Sequence, residues 1–245
     1  DRLAPVPLTV PELPDVVSSR TDVIFELRGI LLGFLASSTV SLSSVKSKSK
    51  VAAHGQGGVG KTTIAVALVN DVEVRARFDK IVWVSLGQSP DLRDLASSIH
   101  FQLTDQHFPE TIKRDDEALK ALQTAAKGKN VLLVLDDCWD AKHEKPLNCI
   151  DPDNFSRLLV TTRIRNLLKH SAEVDVGILS SADALKLLLS SAEMGEEDVE
   201  EGSEEHRVAT EIVELCGRLP LTLSIAGGMI SDNPDGFSDD VEVEW

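Results

Sequence analysis

The chain has 245 residues, 42% of them hydrophobic, a net charge of −15 at pH 7 and a mean hydropathy of −0.03. This length can bury one substantial core plus a small satellite domain. The acidic balance disfavours nucleic acid or an anionic membrane surface as the main partner. No apolar run approaches the roughly 20 residues that span a bilayer, and no signal-peptide pattern opens the chain. Three scattered cysteines are typical of reduced thiols, so we expect a cytoplasmic protein.

The first 50 residues predict connecting segments around a single helix. Four prolines within residues 1–15 predict an extended linker. A helix is predicted from Ser19, and a serine-rich solvated loop over 36–50 follows it. The apolar face of the helix is expected to carry Val23, Ile24, Leu27, Ile30, Leu31 and Phe34.

Residues 55–62 read GQGGVGKT and match the phosphate-binding pattern G-x-x-x-x-G-K-[ST]. Its glycines let successive backbone N–H groups turn around an anion without Cβ clashes. Lys61 adds a positive charge for the β- and γ-phosphates, and the Thr62 hydroxyl is a ligand for Mg²⁺. An apolar strand is predicted before this loop (50–54) and an apolar helix after it (63–69), which is the context that a P-loop requires.

Two further strand ends carry polar residues suited to phosphate chemistry. The apolar run 131–135 ends in Asp136 and Asp137, a Walker B pattern in which the first acid binds Mg²⁺ and the second orients or deprotonates the attacking water. A later strand, 157–160, is followed by Thr161, Thr162 and Arg163. Carboxyl ends of strands face the ligand crevice of an open α/β sheet, so Arg163 is placed to bind a γ-phosphate, with a surface ion pair as the alternative.

The order of the elements predicts the fold class. Strands at 80–85 and 174–176 and helices at 91–103 and 115–126 complete an alternating pattern, which favours an α/β P-loop NTPase domain with three layers and a mostly parallel sheet. Only helices are predicted beyond it. We therefore predict a Pro-rich linker over 1–18, the nucleotide-binding α/β domain over 19–178, a small all-α helical domain over 179–232 and an acidic tail, expected to be disordered, over 233–245.

Five motifs in this order resemble the NB-ARC module of plant disease-resistance receptors and the animal apoptosome scaffold, within the STAND class of signalling ATPases. They are residues 55–63, 78–85, 132–139, 159–163 and 216–221, and the resemblance covers roughly residues 14–232. It implies a switch in which ADP holds a resting state and exchange for ATP permits oligomerisation and signalling. The implied ligands are ADP or ATP with Mg²⁺, and the implied partners are further copies of the protein and domains outside this chain.

The resemblance also implies roles for single residues. Thr63 would contact the α-phosphate, Pro220 the base and ribose, and Val17 and Arg20 the adenine, while Arg163 would sense the γ-phosphate. The expected nucleotide-binding residues are Val17, Arg20, Gly55, Gly57, Gly58, Val59, Gly60, Lys61, Thr62, Thr63 and Pro220. The expected catalytic residues are Asp137, Lys61 and Arg163, and the expected metal ligands are Thr62 and Asp136. Arg218 departs from the family, because plant members usually have a glycine there.

The expected activity is slow, Mg²⁺-dependent hydrolysis of ATP that serves the switch. One alternative is a P-loop ATPase or kinase with true turnover, although neither an acceptor pocket nor an arginine-rich lid is visible in the sequence. A second is an interaction module that binds no nucleotide, which the intact Lys61, Thr62 and Asp136 disfavour. GTP is disfavoured because no Asn-Lys-x-Asp or Thr-Lys-x-Asp motif occurs.

Overall fold

A computed structural model describes residues 3–14, 20–34, 49–108, 112, 114–151 and 153–232. They divide into two compact units. The first comprises the described parts of Asp1–Leu13, Thr21–Gly55 and Lys61–Val176, and the second those of Pro14–Arg20, Gln56–Gly60 and Gly177–Trp245. The predicted linker, domain and tail boundaries stay predictions, and Val17, most of the serine-rich loop and the tail from 233 lie outside the described residues.

The first unit is built on a parallel sheet, as the sequence predicted. Its strands pair in the order β2-β3-β4-β1-β5, and every pairing is parallel. The described residues form the strands β1 (Lys50–His54), β2 (Lys80–Gly87), β3 (Val131–Cys138), β4 (Arg157–Thr162) and β5 (Ala172–Asp175). The central strands are continuous aliphatic runs, because helices bury both faces of a parallel sheet of this type.

Helices cover the sheet of the first unit. Alternate residues of β2, β3 and β4, such as Val82, Leu133 and Val160, form one apolar cluster with Ile99 of α4 and Leu122 of α5. Helix α1 packs against α2 and α3, and α2 packs against β3 and β4. The helices are α1 (Thr21–Leu32), α2 (Lys61–Asn70), α3 (Val72–Arg77), α4 (Leu92–Thr104), α5 (Asp115–Ala126) and α6 (Ala141–Leu147).

Three helical details differ from the sequence predictions. Helix α1 ends at Leu32 and the chain turns at Gly33, so Phe34 lies beyond the helix and is 77% exposed instead of joining its apolar face. Helices α3 and α6 were not predicted. The first has only six residues, fewer than two helical turns, so no repeated apolar period is visible, and the second contains Pro146, which normally argues against a helix.

The second unit contains the helices α7 (Ser181–Ser191), α8 (Glu204–Leu215) and α9 (Pro220–Ser231), with a short 3₁₀ turn at Glu196–Asp198. The hydroxyls of Ser180 and Ser203 cap α7 and α8, and Pro220 begins α9, where its missing N–H costs nothing. Leu188 and Leu223 are central to its apolar core. At Gly227 a Cβ atom would come within 2.6 Å of the Leu188 carbonyl oxygen, so the close packing of α9 on α7 requires glycine.

Residues 3–13 are part of the first unit and pack against its α3 and β2. Ala4 is buried, and its N–H donates to the Arg75 carbonyl at 2.9 Å while Arg75 Nε donates back to the Ala4 carbonyl at 2.9 Å. The Thr9 hydroxyl donates to the carbonyl of Trp83 in the edge strand β2 at 3.1 Å. Within residues 3–14 there is no helix or strand. Among all described residues, no helix is both long and apolar enough to cross a membrane.

Candidate functional site

The carboxyl ends of β3 and β4 and the start of α2 converge on the carboxylate of Asp136. Thr62 Oγ1 donates to Asp136 Oδ1 at 2.9 Å, and Thr161 Oγ1 donates to the same oxygen at 2.6 Å. Asp136 is 5% exposed. Burial raises the pKa of its carboxyl group, and the hydrogen bonds from Thr161 and Thr62 oppose that rise. The two expected metal ligands, Thr62 and Asp136, are therefore in direct contact.

Asp137 follows on a distorted strand end. Its φ of +52° lies in the left-handed region, and the register of β3 against β4 shifts between Leu135 and Cys138. The Asp137 N–H donates to Thr161 Oγ1 at 2.9 Å, and Thr162 Oγ1 donates to the Cys138 carbonyl at 2.7 Å. Two threonine hydroxyls of β4 thus bind backbone groups of β3 where the register shifts.

Thr161 was missed as a site residue in the sequence analysis. Its hydroxyl links the two acids, because it donates to the side chain of Asp136 and accepts from the backbone of Asp137. The available signal was its position at the end of a buried strand next to Arg163. What the sequence does not contain is the register, which pairs Leu135 with Val160 and so brings the next residues, Asp136 and Thr161, together.

Arg163 lies beside Asp137 and Trp139. Its Nε is 3.9 Å from Asp137 Oδ1, and its guanidinium carbon is 4.7 Å from the centre of the Trp139 ring. The side chains of Arg163 and Asp137 are 48% and 38% exposed, so this ion pair contributes little to stability. It orients the guanidinium instead. The Trp139 ring is the surface on which the Arg163 guanidinium group stacks.

Lys61 begins α2 and is almost fully buried. Its Nζ donates to the Gly55 carbonyl at 2.7 Å, across the two ends of the P-loop. Burial is the largest cause that lowers the pKa of its ammonium group, and Arg163 adds to the effect, whereas Asp137 and Asp136 oppose it. Thr63, in the first turn of α2, is half-buried. A buried cation at this place gains from an incoming anion, because a phosphate offsets its lost hydration.

The tip of the P-loop belongs to the second unit. Gly58 and Gly60 have φ of +80° and +90°, conformations that side chains other than glycine rarely adopt. A Cβ atom at Gly58 would lie 3.3 Å from Leu221 Cβ, and one at Gly60 would lie 4.0 Å from Pro220 Cγ. Pro220, expected beside the base and ribose, therefore lies next to the loop that is expected to bind the phosphates.

Arg20 binds two main-chain carbonyl groups of the second unit. Its Nη2 donates to the Val59 carbonyl at 3.1 Å, and its Nη1 donates to the Gly177 carbonyl at 2.6 Å. Val17, its expected companion at the adenine, lies outside the described residues. Among the described residues, no group of three or more His, Cys, Asp or Glu side chains is arranged to hold a metal ion.

Solved structures with a similar fold support the architecture alone. PCH-2 of C. elegans has a TM-score of 0.56 at 15% identity, covering 87% of this chain and 63% of that one. The Aeropyrum pernix ORC1 protein, solved in complex with DNA, has a TM-score of 0.54 at 17% identity, covering 90% of this chain and 62% of that one.

Curated relatives are plant resistance proteins. The chain is 31% identical over 199 residues to disease resistance RPP13-like protein 4 of Arabidopsis thaliana, and this match covers 78% of this chain and 22% of the relative. It is 26% identical over 228 residues to a putative late blight resistance protein homolog of Solanum demissum, covering 91% of this chain and 17% of the relative. The chain thus spans less than a quarter of either relative. Since the NB-ARC domain model matches residues 39–198, this P-loop nucleotide-binding chain belongs to the NB-ARC family.

Proposed function

We propose that the chain is the ADP/ATP-dependent switch module of a signalling protein of the STAND class, acting in a cytoplasmic immune or cell-death type response. The observation that carries the proposal is the contact of Thr62 with Asp136, 2.9 Å between oxygens, which joins the P-loop helix to the acidic strand end. Plant resistance proteins as relatives favour signalling over metabolism. In the proposed cycle, bound ADP maintains the resting state and exchange for ATP permits self-association.

The donor set fits Mg²⁺. The Thr62 hydroxyl and the Asp136 carboxylate are hard oxygen donors at the strand edge where a nucleotide phosphate is expected, and Mg²⁺ is commonly bound by one or two such groups together with phosphates and water. When bound, Mg²⁺ neutralises charge on the phosphates. Thr161 keeps the Asp136 carboxylate oriented through its 2.6 Å hydrogen bond.

The other expected site residues have roles in phosphate binding and hydrolysis. Lys61 supplies positive charge to the β- and γ-phosphates, and Thr63 contacts the α-phosphate. Asp137 orients or deprotonates the attacking water. Arg163, whose Nε is 3.9 Å from Asp137 Oδ1, binds the γ-phosphate when ATP is present. The proximity of Arg163 to Asp137 is consistent with slow hydrolysis, because a guanidinium group beside the carboxylate competes for the proton acceptor that the water needs.

Replacing Asp137 tests whether this residue acts in hydrolysis and not in nucleotide binding. Asp137→Asn removes the charge, and asparagine tolerates the φ of +52° that alanine does not. We expect binding of Mg-ADP by calorimetry to stay within about twofold, while phosphate release from ATP falls by roughly a hundredfold. The matched control is Asp105→Asn. Asp105 follows α4, has a φ of +58° and has a side chain that is 81% exposed, so this variant should change neither binding nor hydrolysis.

The same assay separates a switch from a turnover enzyme. A switch predicts that the wild type releases phosphate far more slowly than the ~1 s⁻¹ at the low end of ordinary enzymes. Fast release that increases with an added acceptor would instead favour a kinase or turnover ATPase. An unchanged rate in Asp137→Asn would remove Asp137 from the proposed mechanism.

A further inference from the structure

Arg20 binds the backbone of the P-loop. The residue is only 8% exposed and directly precedes α1, and its guanidinium group donates to two main-chain carbonyls, those of Val59 and Gly177. Arg20, the loop tip Gln56–Gly60 and Gly177 all belong to the second unit. A guanidinium fixes several donors in one plane, so two carbonyls bound by the same group are held in a defined relation.

A second donor holds the neighbouring carbonyl. The N–H of Leu221, at the start of α9, donates to the Gly58 carbonyl at 3.2 Å. Two consecutive peptide units of the loop, those that begin at Gly58 and Val59, are thus each fixed by a donor from outside the loop. Gly58 and Gly60 have no side chains to restrict their backbones, so the loop depends on such external bonds for a single shape.

Fixing a carbonyl also fixes the N–H on the other side of its peptide plane. In a trans peptide, the C=O of one residue and the N–H of the next point in opposite directions. The bond to the Val59 carbonyl therefore orients the Gly60 N–H, and the bond to the Gly58 carbonyl orients the Val59 N–H. Inward-pointing N–H groups of this loop are what bind phosphate oxygens.

We infer that Arg20 is a positioning residue for phosphate binding: by clamping the Val59 carbonyl to Gly177 it preorganises the loop N–H groups for a polyphosphate, a role that rests on the proposed nucleotide binding. This role differs from the adenine contact that the family resemblance implies for Arg20. The two roles predict different ligand dependence. A loop clamp affects every ligand with a polyphosphate, whereas a base contact affects only ligands with adenine.

Competition binding against a fluorescent ADP analogue tests the inference with inorganic tripolyphosphate, Mg-ATP and Mg-GTP as probes. We expect Arg20→Gln to weaken tripolyphosphate and Mg-ATP by the same factor, roughly ten- to a hundredfold, because two charge-assisted hydrogen bonds are lost. The ratio of ATP to GTP affinity stays unchanged. Arg20→Lys keeps the charge but has one donor nitrogen in place of the two that bind the carbonyls, so it loses less affinity, again equally for both probes. If Arg20→Gln does not fold, Arg20→Lys provides the test.

Arg28→Gln is the matched control. It removes a guanidinium from α1 that pairs with Asp71 at 3.3 Å, and it leaves all three probes unaffected. Loss of Mg-ATP affinity with normal tripolyphosphate binding, or a collapse of the ATP-to-GTP preference, would overturn the clamp in favour of a base contact. Normal binding of every probe by both Arg20 variants would overturn either role. A wild type that binds no Mg-ADP would instead contradict the proposed function itself.

Discussion

At the scale of single residues, the site buries two charged side chains, Asp136 and Lys61, at a cost in folding free energy. Burial raises the pKa of Asp136 and lowers that of Lys61, so in each case the charged form is disfavoured in the folded protein. Both shifts are typical of groups that serve binding at the expense of stability. In the proposed function, Mg²⁺ would supply the opposite charge for Asp136 and a nucleotide phosphate that for Lys61.

Asp136→Asn tests this cost. The folded-state pKa of Asp136 lies above its ordinary value of 3.8, so its ionised form destabilises the fold at neutral pH, and the neutral amide keeps an oxygen for the hydrogen bonds from Thr62 and Thr161. We expect a higher Tm than that of wild type at about pH 7, measured by calorimetry on nucleotide-free protein in EDTA. The same variant loses the effect of Mg²⁺ on nucleotide affinity.

The pH dependence of that difference supplies the control. The advantage of the amide is fully present above the folded-state pKa, shrinks as the pH falls through it, and disappears below the unfolded-state value of 3.8, where both side chains are neutral. A lower Tm for Asp136→Asn at neutral pH would show that the hydrogen bonds to the ionised carboxylate outweigh the cost of its burial.

At the scale of elements, the end of α8 shows how the departure at Arg218 is accommodated. The N–H of Gly217 donates to the Glu214 carbonyl at 2.9 Å and the N–H of Arg218 to the Val213 carbonyl at 3.2 Å, the paired bonds of a Schellman motif. Gly217 and Arg218 have φ of +59° and +54°. Arg218 therefore adopts a left-handed conformation that glycine adopts more easily, and the turn towards Pro220 is kept at a cost.

Arg218→Gly is expected to stabilise the protein. Relief of the left-handed strain outweighs the extra entropy of glycine in the unfolded chain by about 0.5–1 kcal/mol. The lost ion pair with Glu214, at 3.8 Å and largely exposed, contributes almost nothing. The expected rise in Tm is about 2 °C. Arg218→Ala, which removes the same side chain and keeps the strain, should give no rise; an equal rise in both variants would point to the side chain instead of the backbone.

The elements that the sequence predicted best are those with the strongest physical signal. Strands buried on both faces leave continuous aliphatic runs, so β1, β3 and β4 were located to within a few residues, together with the polar residues at their ends. Short helices leave no such signal, and α3 and α6 were missed. Contacts such as Arg20 with Gly177 or Asp136 with Thr161 depend on the fold and the register, which local patterns do not contain.

At the scale of the whole molecule, two properties frame the function. The net charge of −15 leaves the P-loop as a local positive site on an acidic protein, which suits a nucleotide better than a nucleic acid. The aligned region is less than a quarter of either of the two plant relatives. Self-association and signalling accordingly belong to the proposed function.

The nucleotide content of the purified chain, determined by chromatography after denaturation, tests the proposed switch directly. We expect near-stoichiometric ADP in the wild type and none in Lys61→Ala, because Lys61 supplies the buried charge that a phosphate neutralises. Lys142→Ala, a side chain 88% exposed on α6, is the control and keeps its ADP. Equal nucleotide content in wild type and Lys61→Ala, or a wild type that is empty and binds neither Mg-ADP nor Mg-ATP, would contradict the proposed switch.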